Sequence, residues 1–405
     1  MVPLQWQSNR RIVLAVTGGI AAYKTPGLVR LLASYGCQVR VVMTQAAESF
    51  VSPMVLETLS GNRVWRQSDF LSVSGGSQIP HIQLAQWAEA VIVAPCTAHH
   101  LAAAAVGLGD SLVAATLLAT KAPVLFFPAM NSQMLAHPAT EENIRTLARR
   151  GAFVAGAENG SLACGEEGPG RMPEPEEIVR QLWRVLSPAS DLAGRRVLIT
   201  AGPTREYLDP VRFISNPSTG KMGAALAWTA VLRGASVEVV AGPTSVQFPK
   251  EASVTRVVSA LEMFQAVKAR AASADFIVAS AAVSDYRPES SSPRKIKRES
   301  VERVERAFVQ NPDIIAWAGA NKRPGQILVG FAAETDDVLV HAQGKLERKK
   351  LDFIAANDLT SAGSGFGADT NTVTLLDRSG GRIELKGSKE AVAWEMWNVL
   401  SPTLA

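Results

Sequence analysis

The feature that most restricts this chain is a strand-and-glycine pattern that occurs twice. Arg11-Ile-Val-Leu-Ala-Val-Thr-Gly-Gly19 is a nearly continuous apolar run ending in two glycines, and Leu28, Leu31, Leu32 and Tyr35 follow at helical spacing. An apolar run without alternation suits a strand buried on both faces, and the helix after it supplies one of the covers. Val39-Arg-Val-Val-Met43 closes a βαβ unit. Ala90-Val-Ile-Val-Ala94 and Pro123-Val-Leu-Phe-Phe127 add two short strands around an alanine-rich helical stretch. The same grammar restarts at Arg195-Arg-Val-Leu-Ile-Thr-Ala-Gly202, runs through a helix over 221–233 and a strand over 236–241, and reaches Asp275-Phe-Ile-Val-Ala-Ser280.

A chain of 405 residues exceeds what one core usually holds, so the repetition predicts two α/β domains. Each is expected to be a Rossmann-like or flavodoxin-like three-layer unit with a mostly parallel sheet. Leu186-Ser-Pro-Ala-Ser-Asp-Leu-Ala-Gly194 has the composition of a connection, which sets the domains at 1–189 and 190–405. Val373–Leu376 and Arg382–Leu385 flank Ser379-Gly-Gly381 as a hairpin, and 388–400 reads as a closing helix. The segment 284–299, with two prolines and a serine run, reads as a long mobile loop.

With 47% apolar and 19% charged residues the chain is not disordered. Its longest greasy stretch, Leu112 to Met130, is broken by Lys121, Pro123 and Pro128, too short for a membrane span. The N-terminus has no apolar signal core, so a cytoplasmic location is expected. Cys37, Cys96 and Cys164 are scattered and read as reduced thiols, with Cys37 a packing residue. A net charge of +4 is too weak a field to argue for nucleic acid, although basic residues cluster at 294–298 and 345–350.

Strand followed by Thr17-Gly18-Gly19-Ile20 presents bare N–H groups at a helix start, the arrangement that holds phosphate, although an ordinary tight turn reads equally well. Ile20 and Tyr23 stand where a dinucleotide fingerprint needs glycine, so a mononucleotide such as FMN fits better. Gly220-Lys221 is not a phosphate loop of the Walker type, because Ser215 and Met222 occupy required positions. His81, after Pro80 in a polar loop, either faces a cleft or caps the surface. Asn131, at the end of a strand, either meets a carboxylate or closes a turn. Cys164 lies in a glycine-rich loop, a candidate for chemistry, whereas His99-His100 lacks the companions of a metal site. Asp285, Arg294, Lys295, Lys297 and Arg298 group on the 284–299 loop, and Lys345 and Lys349 share a helix face; either set is a solvated surface or a triphosphate site.

Taken together, Gly18–Lys24, His81, Pro128–Asn131, Ala163–Gly165 and Gly168–Met172, then Ala201–Glu206, Asp209–Arg212, Ile214–Asn216, Gly220–Gly223, Ala281–Arg287, Lys295–Lys297, Asn311–Ile314 and Gly330–Thr335 carry a resemblance. The whole chain resembles the bacterial bifunctional phosphopantothenoylcysteine decarboxylase/phosphopantothenate–cysteine ligases of coenzyme A biosynthesis. That resemblance implies FMN in the first domain, on Gly18, Gly19, Ile20, Ala21, Thr44 and the Ala94-Pro95-Cys96-Thr97 turn, with His81, Asn131 and Cys164 in catalysis. It implies CTP with Mg²⁺ in the second, on Asp285, Lys295, Pro312, Asp313, Ile314, Ile315, Phe331, Lys345 and Lys349, with Asn216 at the acyl intermediate. No particular ligand of the metal is implied. The partners so implied are 4'-phosphopantothenate, cysteine and CTP, without nucleic acid or membrane, in a homo-oligomer of decarboxylase trimers and ligase dimers, a dodecamer. Cys96 and His99 depart from the more familiar version of the family. Two rival readings are a flavin-binding regulatory protein without turnover and a nucleic-acid-binding protein using the basic clusters. Retention of His81, Asn131 and Cys164 speaks against the first, and the lack of aromatic residues among the basic ones against the second.

Overall fold

A computed structural model describes residues 4–71, 79–161, 165–296, 305–334, 338–358 and 367–404. The chain divides into two compact units that meet at the 188/189 peptide. The strands in chain order are β1 Arg11–Val16, β2 Gln38–Met43, β3 Ala90–Cys96, β4 Val124–Pro128, β5 Phe153–Val154, β6 Glu158–Ser161, β7 Glu167–Arg171, β8 Arg196–Ala201, β9 Arg205–Tyr207, β10 Phe213–Ser215, β11 Ser236–Ala241, β12 Ser253–Arg256, β13 Phe276–Ala279, β14 Tyr286–Pro288, β15 Phe308–Gln310, β16 Ile327–Glu334, β17 Phe353–Asp358, β18 Thr370–Asp377 and β19 Arg382–Ser388. The α-helices are α1 Thr25–Ser34, α2 Pro53–Ser60, α3 Pro80–Trp87, α4 Ala98–Val106, α5 Leu112–Ala119, α6 Ser132–Leu135, α7 Pro138–Arg149, α8 Pro175–Val185, α9 Lys221–Leu232, α10 Ala260–Ala271, α11 Ile314–Ala320, α12 Val338–Arg348 and α13 Lys389–Leu400. Among the described residues no helix is long and apolar enough to cross a membrane.

In the N-terminal unit the sheet order is β2-β1-β3-β4-β5, all parallel. β1 and β3 are almost wholly buried, as their unalternated apolar sequences require, and Val13, Ala15, Val91, Val93, Leu101 and Leu112 pack together on one face. β1 lies between β2 and β3, so the chain winds away from it in both directions. Such a reversal opens a crevice at the carboxyl ends of the strands.

The C-terminal unit repeats the plan with the order β12-β11-β8-β13-β16-β17-β18-β19. Pairing is parallel through β17 and antiparallel for β17–β18 and β18–β19. β8 sits between β11 and β13 as β1 sits between β2 and β3. One face carries α9 and α13 over Val197, Ile199, Val239, Val278, Ala355 and Val373. The other carries α10, α11 and α12 over Leu198, Ile277, Leu328 and Ile354. The expected α/β architecture is thus the one observed, and the 373–385 hairpin is β18–β19.

Two local expectations need correction. His81 is not in a loop before a helix: Pro80 is the first residue of α3, where its missing N–H costs nothing, so His81 sits in the helix's first turn. Nor is the described part of the 284–299 segment, residues 284–296, one long mobile loop. Residues 286–288 form β14, paired with β15, and Ile296 N–H donates to Asp209 Oδ2 at 3.2 Å while Ser292 N–H donates to the Leu208 carbonyl at 2.9 Å. Burial works against the charged form of Asp209, but N–H groups of Val211, Arg212 and Ile296, with the Arg212 guanidinium, outweigh it and hold the carboxyl below its usual range.

Candidate active sites

The N-terminal crevice is a cavity of about 600 Å³ at the carboxyl ends of β1, β3 and β4. Thr17 fixes its floor: the hydroxyl donates to the Pro95 carbonyl at 2.8 Å and accepts from Thr97 N–H at 3.1 Å, tying β1 to β3. A side chain at position 18 would put its Cβ 2.4 Å from Ala46 Cβ, so only glycine lets the turn lie that close. At Gly19 a Cβ would meet nothing nearer than 3.7 Å. Its bareness therefore serves the cavity rather than the packing. Ile20 (57% exposed), Tyr23 (60%) and Met134 (50%) are large apolar side chains left uncovered on this lining. They form a surface suited to a flat aromatic ring, beside a polar rim suited to phosphate.

That rim includes Lys24 and Arg171. Lys24 Nζ donates to Glu174 Oε1 at 2.7 Å and to the Met172 carbonyl at 3.0 Å, and Arg171 reaches the same carboxylate oxygen at 3.3 Å. Asn131 caps α6, its Oδ1 accepting from Gln133 N–H at 2.8 Å and its Nδ2 donating to Glu166 Oε2 at 2.9 Å. The β6–β7 hairpin is laid against this corner by Met130 N–H donating to the Gly170 carbonyl at 3.1 Å and Ser132 Oγ donating to that of Pro169 at 2.8 Å. Cys164 belongs to the connection between these two strands and lies outside the described residues, while Ser161, three positions before it, lines the cavity.

Of the residues expected on the flavin, Gly18, Gly19, Ile20, Ala21 and Thr97 line the cavity. Thr44, Ala94, Pro95 and Cys96 do not; Thr44 caps the turn after β2, accepting from Ala47 N–H at 3.2 Å. Cys96 is fully buried in the core, which pushes its thiol far up and leaves it a neutral packing group. Cys37 is likewise buried, its thiol pushed up to about 11. His81 also stands outside the lining: its ring lies 5.8 Å from that of Phe70, and its buried Nδ1 has no hydrogen-bond partner among the described residues.

The C-terminal crevice encloses about 490 Å³ at the carboxyl ends of β8, β13, β16 and β17. It gathers Asn216, Asp285, Pro312, Asp313, Ile314, Ile315, Phe331, Lys345 and Lys349, all expected there, from positions far apart in the chain. Asn216 Nδ2 donates to the carbonyls of Ala282 and Val283 at 3.3 and 3.2 Å. Asp313 caps α11 through Oδ1, accepting from Ala316 N–H at 3.0 Å, and pairs through Oδ2 with Lys349 Nζ at 2.8 Å. Gly223 allows α9 to approach β8, because a Cβ there would fall 2.5 Å from Ala201 Cβ. Lys295 is exposed and does not line the cavity; Lys297 lies outside the described residues.

The sequence reading placed Lys24, Arg171 and Lys221 inside family motifs without giving them a role, and missed Ser161 in the first cavity and Asn357, Asn371 and Lys389 in the second. Asn357 had a signal, since it stands at the carboxyl end of a buried strand. Asn371 had none, being on an antiparallel strand whose inward face depends on register.

Residues 3–187 match the Flavoprotein family model, and residues 192–403 match the model of the DNA/pantothenate metabolism flavoprotein C-terminal domain. The chain is similar to the coenzyme A biosynthesis bifunctional protein CoaBC of Vibrio vulnificus strain YJ016, with 43% identity over 394 residues covering 97% of this chain and 98% of that one. It is also 45% identical to the protein of that name from Escherichia coli K12 over 378 residues, 93% of each chain. With the Bacillus subtilis strain 168 protein it shares 43% identity over 381 residues, again 93% of each. The crystal structure of the C-terminal domain of a CoaBC protein is 38% identical and covers 53% of this chain and 98% of its own, with a TM-score of 0.46.

Proposed function

We propose that this chain, which belongs to the family of bifunctional coenzyme A biosynthesis proteins, carries out two consecutive reactions, one in each unit. The C-terminal unit joins 4'-phosphopantothenate to cysteine with CTP. The N-terminal unit decarboxylates the resulting 4'-phosphopantothenoylcysteine to 4'-phosphopantetheine with FMN. The observation that carries this reading is the convergence of Asn216, Asp285, Pro312–Ile315, Phe331, Lys345 and Lys349 on one cavity.

In the ligase reaction a carboxylate oxygen of phosphopantothenate attacks the α-phosphorus of CTP and pyrophosphate leaves with the bonding pair. The cysteine amine then attacks the acyl carbon, CMP leaves, and the amine's displaced protons pass to water. Lys345 and Lys349 offset phosphate charge, and Asn216 is assigned to the acyl carbonyl. Lys295 is assigned to the phosphates from outside the described lining. Asp313 is engaged by Lys349 and by its own helix, which leaves Asp285 as the carboxylate on this lining suited to Mg²⁺. A magnesium ion commonly takes one or two carboxylates and completes its shell with nucleotide phosphates and water.

The N-terminal cavity fits FMN by its bare Gly19, its Lys24 and Arg171 rim and its uncovered Ile20, Tyr23 and Met134. When bound, the flavin supplies the two-electron sink and source that a cysteine carboxylate lacks. The chain's own residues do the rest: Asn131 orients the departing carboxylate, His81 moves a proton, and Cys164 protonates the enethiolate after CO₂ has left. Because His81 stands outside the cavity lining, it is assigned to the cavity of a neighbouring copy in a decarboxylase trimer, with ligase dimers completing a cytoplasmic dodecamer.

The test is purification followed by assay with 4'-phosphopantothenate, cysteine and CTP. A yellow protein releasing CMP, pyrophosphate and CO₂ is expected. A colourless protein, or one releasing no CMP, would refute the corresponding half of the reading.

A further inference from the structure

The C-terminal cavity carries polar groups that none of the assigned residues explains. Asn371, on β18, is 4% exposed and lines the cavity, yet its Oδ1 has no hydrogen-bond partner among the described residues. The buried Oδ1 of Asn357, on β17, is unpartnered in the same way and also on the lining. Asn357 is in register with Val373, two residues from Asn371, so the two amides share one face of the sheet as diagonal neighbours. Such neighbours lie roughly 7–8 Å apart, close enough for two amides to converge on one atom.

Buried acceptors left unpaired are costly, so a pair of them in one cavity calls for a donor from a ligand. Two helix starts and two cations flank them. Lys221 opens α9 and pairs with Asp369 Oδ1 at 2.7 Å. Lys389 opens α13, is 5% exposed, and donates to the carbonyls of Ala368 and Thr370. Both line the cavity. The phosphates of CTP offer no N–H to the amide oxygens; its cytosine amino group does, and the pyrophosphate burst with cysteine omitted separates that donor from the substrate amine. A divalent cation would be repelled by two ammonium groups, and Asp369, the carboxylate it would seek, is held by Lys221. A small molecule with an amine next to a carboxylate satisfies every group.

Resting on the ligase reading, we propose that this part of the cavity seats the amino-acid substrate: the oxygens of Asn357 and Asn371 accept the N–H groups of the amine, and Lys221 and Lys389 face the α-carboxylate. The nucleophile must be the free amine. Burial, and then Lys221, push the ammonium of Lys389 itself toward its neutral form, and a substrate ammonium entering beside it meets the same pressure. An amine that donates its N–H groups to the amides keeps its nitrogen lone pair free to attack the acyl carbon.

The test uses the full-length enzyme and two readouts, the KM for cysteine in coupled turnover and the burst of pyrophosphate from CTP and phosphopantothenate with cysteine omitted. Asn371→Leu is expected to raise the KM for cysteine about tenfold or more while the burst keeps its amplitude. Asn371→Asp, which keeps an oxygen acceptor in the same volume, is expected to stay within a few-fold of the wild type and serves if the leucine variant does not fold. Lys389→Met is expected to weaken cysteine but not cysteamine, which lacks the carboxylate. An unchanged KM for cysteine overturns the proposal. So does a burst reduced in proportion, which would give these residues to the nucleotide or to phosphopantothenate. Absence of any burst from the wild type would instead refute the ligase reading itself.

Discussion

The two cavities are built on one plan and differ in how completely a single chain furnishes them. Both open where a strand is flanked by neighbours wound in opposite directions, β1 between β2 and β3, and β8 between β11 and β13. In the C-terminal unit every expected nucleotide residue except Lys295 reaches the lining, whereas in the N-terminal unit Asn131 does and His81 does not. The difference teaches that a shared switch point guarantees a ligand crevice but not a complete set of reacting groups. One unit gathers its expected groups from strand ends and from the helices α11 and α12 that cover them, and in the other the helix that carries His81 leaves it off the lining.

The sharpest way to separate the two is at Gly18. Gly18→Val places branched carbon where even a Cβ would sit 2.4 Å from Ala46, so the turn must open and the phosphate cradle with it. Loss of the flavin absorbance and of decarboxylation is expected, with cysteine-dependent CMP release retained by the C-terminal unit. Gly19→Ala, which meets no clash, should leave the fold intact and weaken FMN by about tenfold, read by titration of the apoprotein.

The second prediction addresses His81. His81→Asn and Asn131→Asp should each abolish CO₂ release when expressed alone. If His81 serves a neighbouring copy, co-expression of the two variants rebuilds intact sites at about a quarter of the positions of a randomly mixed ring. CO₂ release that stays at zero in the mixture, with mixed oligomers verified by mass spectrometry, would return His81 to its own chain.

These contrasts also mark what the sequence could convey. Strands and switch points were legible because both-faces-buried strands leave unbroken apolar runs, as in Ala90–Ala94 and Phe276–Ala279. The residues that converge on the C-terminal cavity were legible through the family's motifs. Pro80 was misread because a proline breaks a helix interior yet starts a helix well. The 284–299 segment was misread because its Ser and Pro content says nothing of Asp209, a buried acceptor more than 80 positions away that ties down Ile296. Lys24 and Arg171 acquire their place only when the β6–β7 hairpin folds back and brings Glu174 between them. Asn371 waited on a register that no local pattern specifies.

Acid should weaken the two units in sequence. Burial, and next the neighbouring His99, push the imidazole of His100 down to about 4, and its Nδ1 lies 3.0 Å from Thr97 Oγ1. In the unfolded chain it titrates near 6.5, so between those values the unfolded state binds a proton that the folded state refuses. Stability of the N-terminal unit therefore falls as pH drops from about 6.5 to 4, by on the order of 3 kcal/mol. The C-terminal unit depends instead on Asp209 and Asp275. Burial opposes the charge of Asp275, but the Arg196 N–H and the Arg323 guanidinium outweigh it and hold that carboxyl low. Depressed carboxyls stabilise above their unfolded values, near 4, and lose that contribution only as pH falls through the folded ones. Urea unfolding followed by flavin release and by pyrophosphate activity should show the flavin unit weakening first. His100→Gln should flatten its pH dependence in that window.

The smallest expected effect is at Asp191, at the start of the C-terminal unit. Arg233 is 2% exposed, and its guanidinium donates to both carboxylate oxygens of Asp191 at 2.9 and 2.6 Å, to the Trp394 carbonyl at 3.1 Å and to Asn398 Oδ1 at 2.7 Å. The planar fork thus joins the connection after residue 188 to α13. Burial works against the charge on Asp191, and the Arg233 and Ser401 hydrogen bonds outweigh it, leaving its carboxyl below the usual range. The Asp191 side chain is 39% exposed, so water screens much of the pairing. Asp191→Asn keeps one acceptor and removes the charge, and should cost about 1 kcal/mol or less at pH 7. Because the wild-type carboxyl is depressed in the folded state, its advantage over the variant exists above the unfolded value near 4 and vanishes as pH falls through the folded one. Removing the arginine is a different perturbation. Arg233→Met leaves the Asn398 and Trp394 oxygens without their buried donor, and should cost more than Asp191→Asn at pH 7. Part of that cost, the part not owed to Asp191, should persist in acid. Equal losses for the two variants at every pH would mean that the ion pair, and not the buried fork, holds α13 in place.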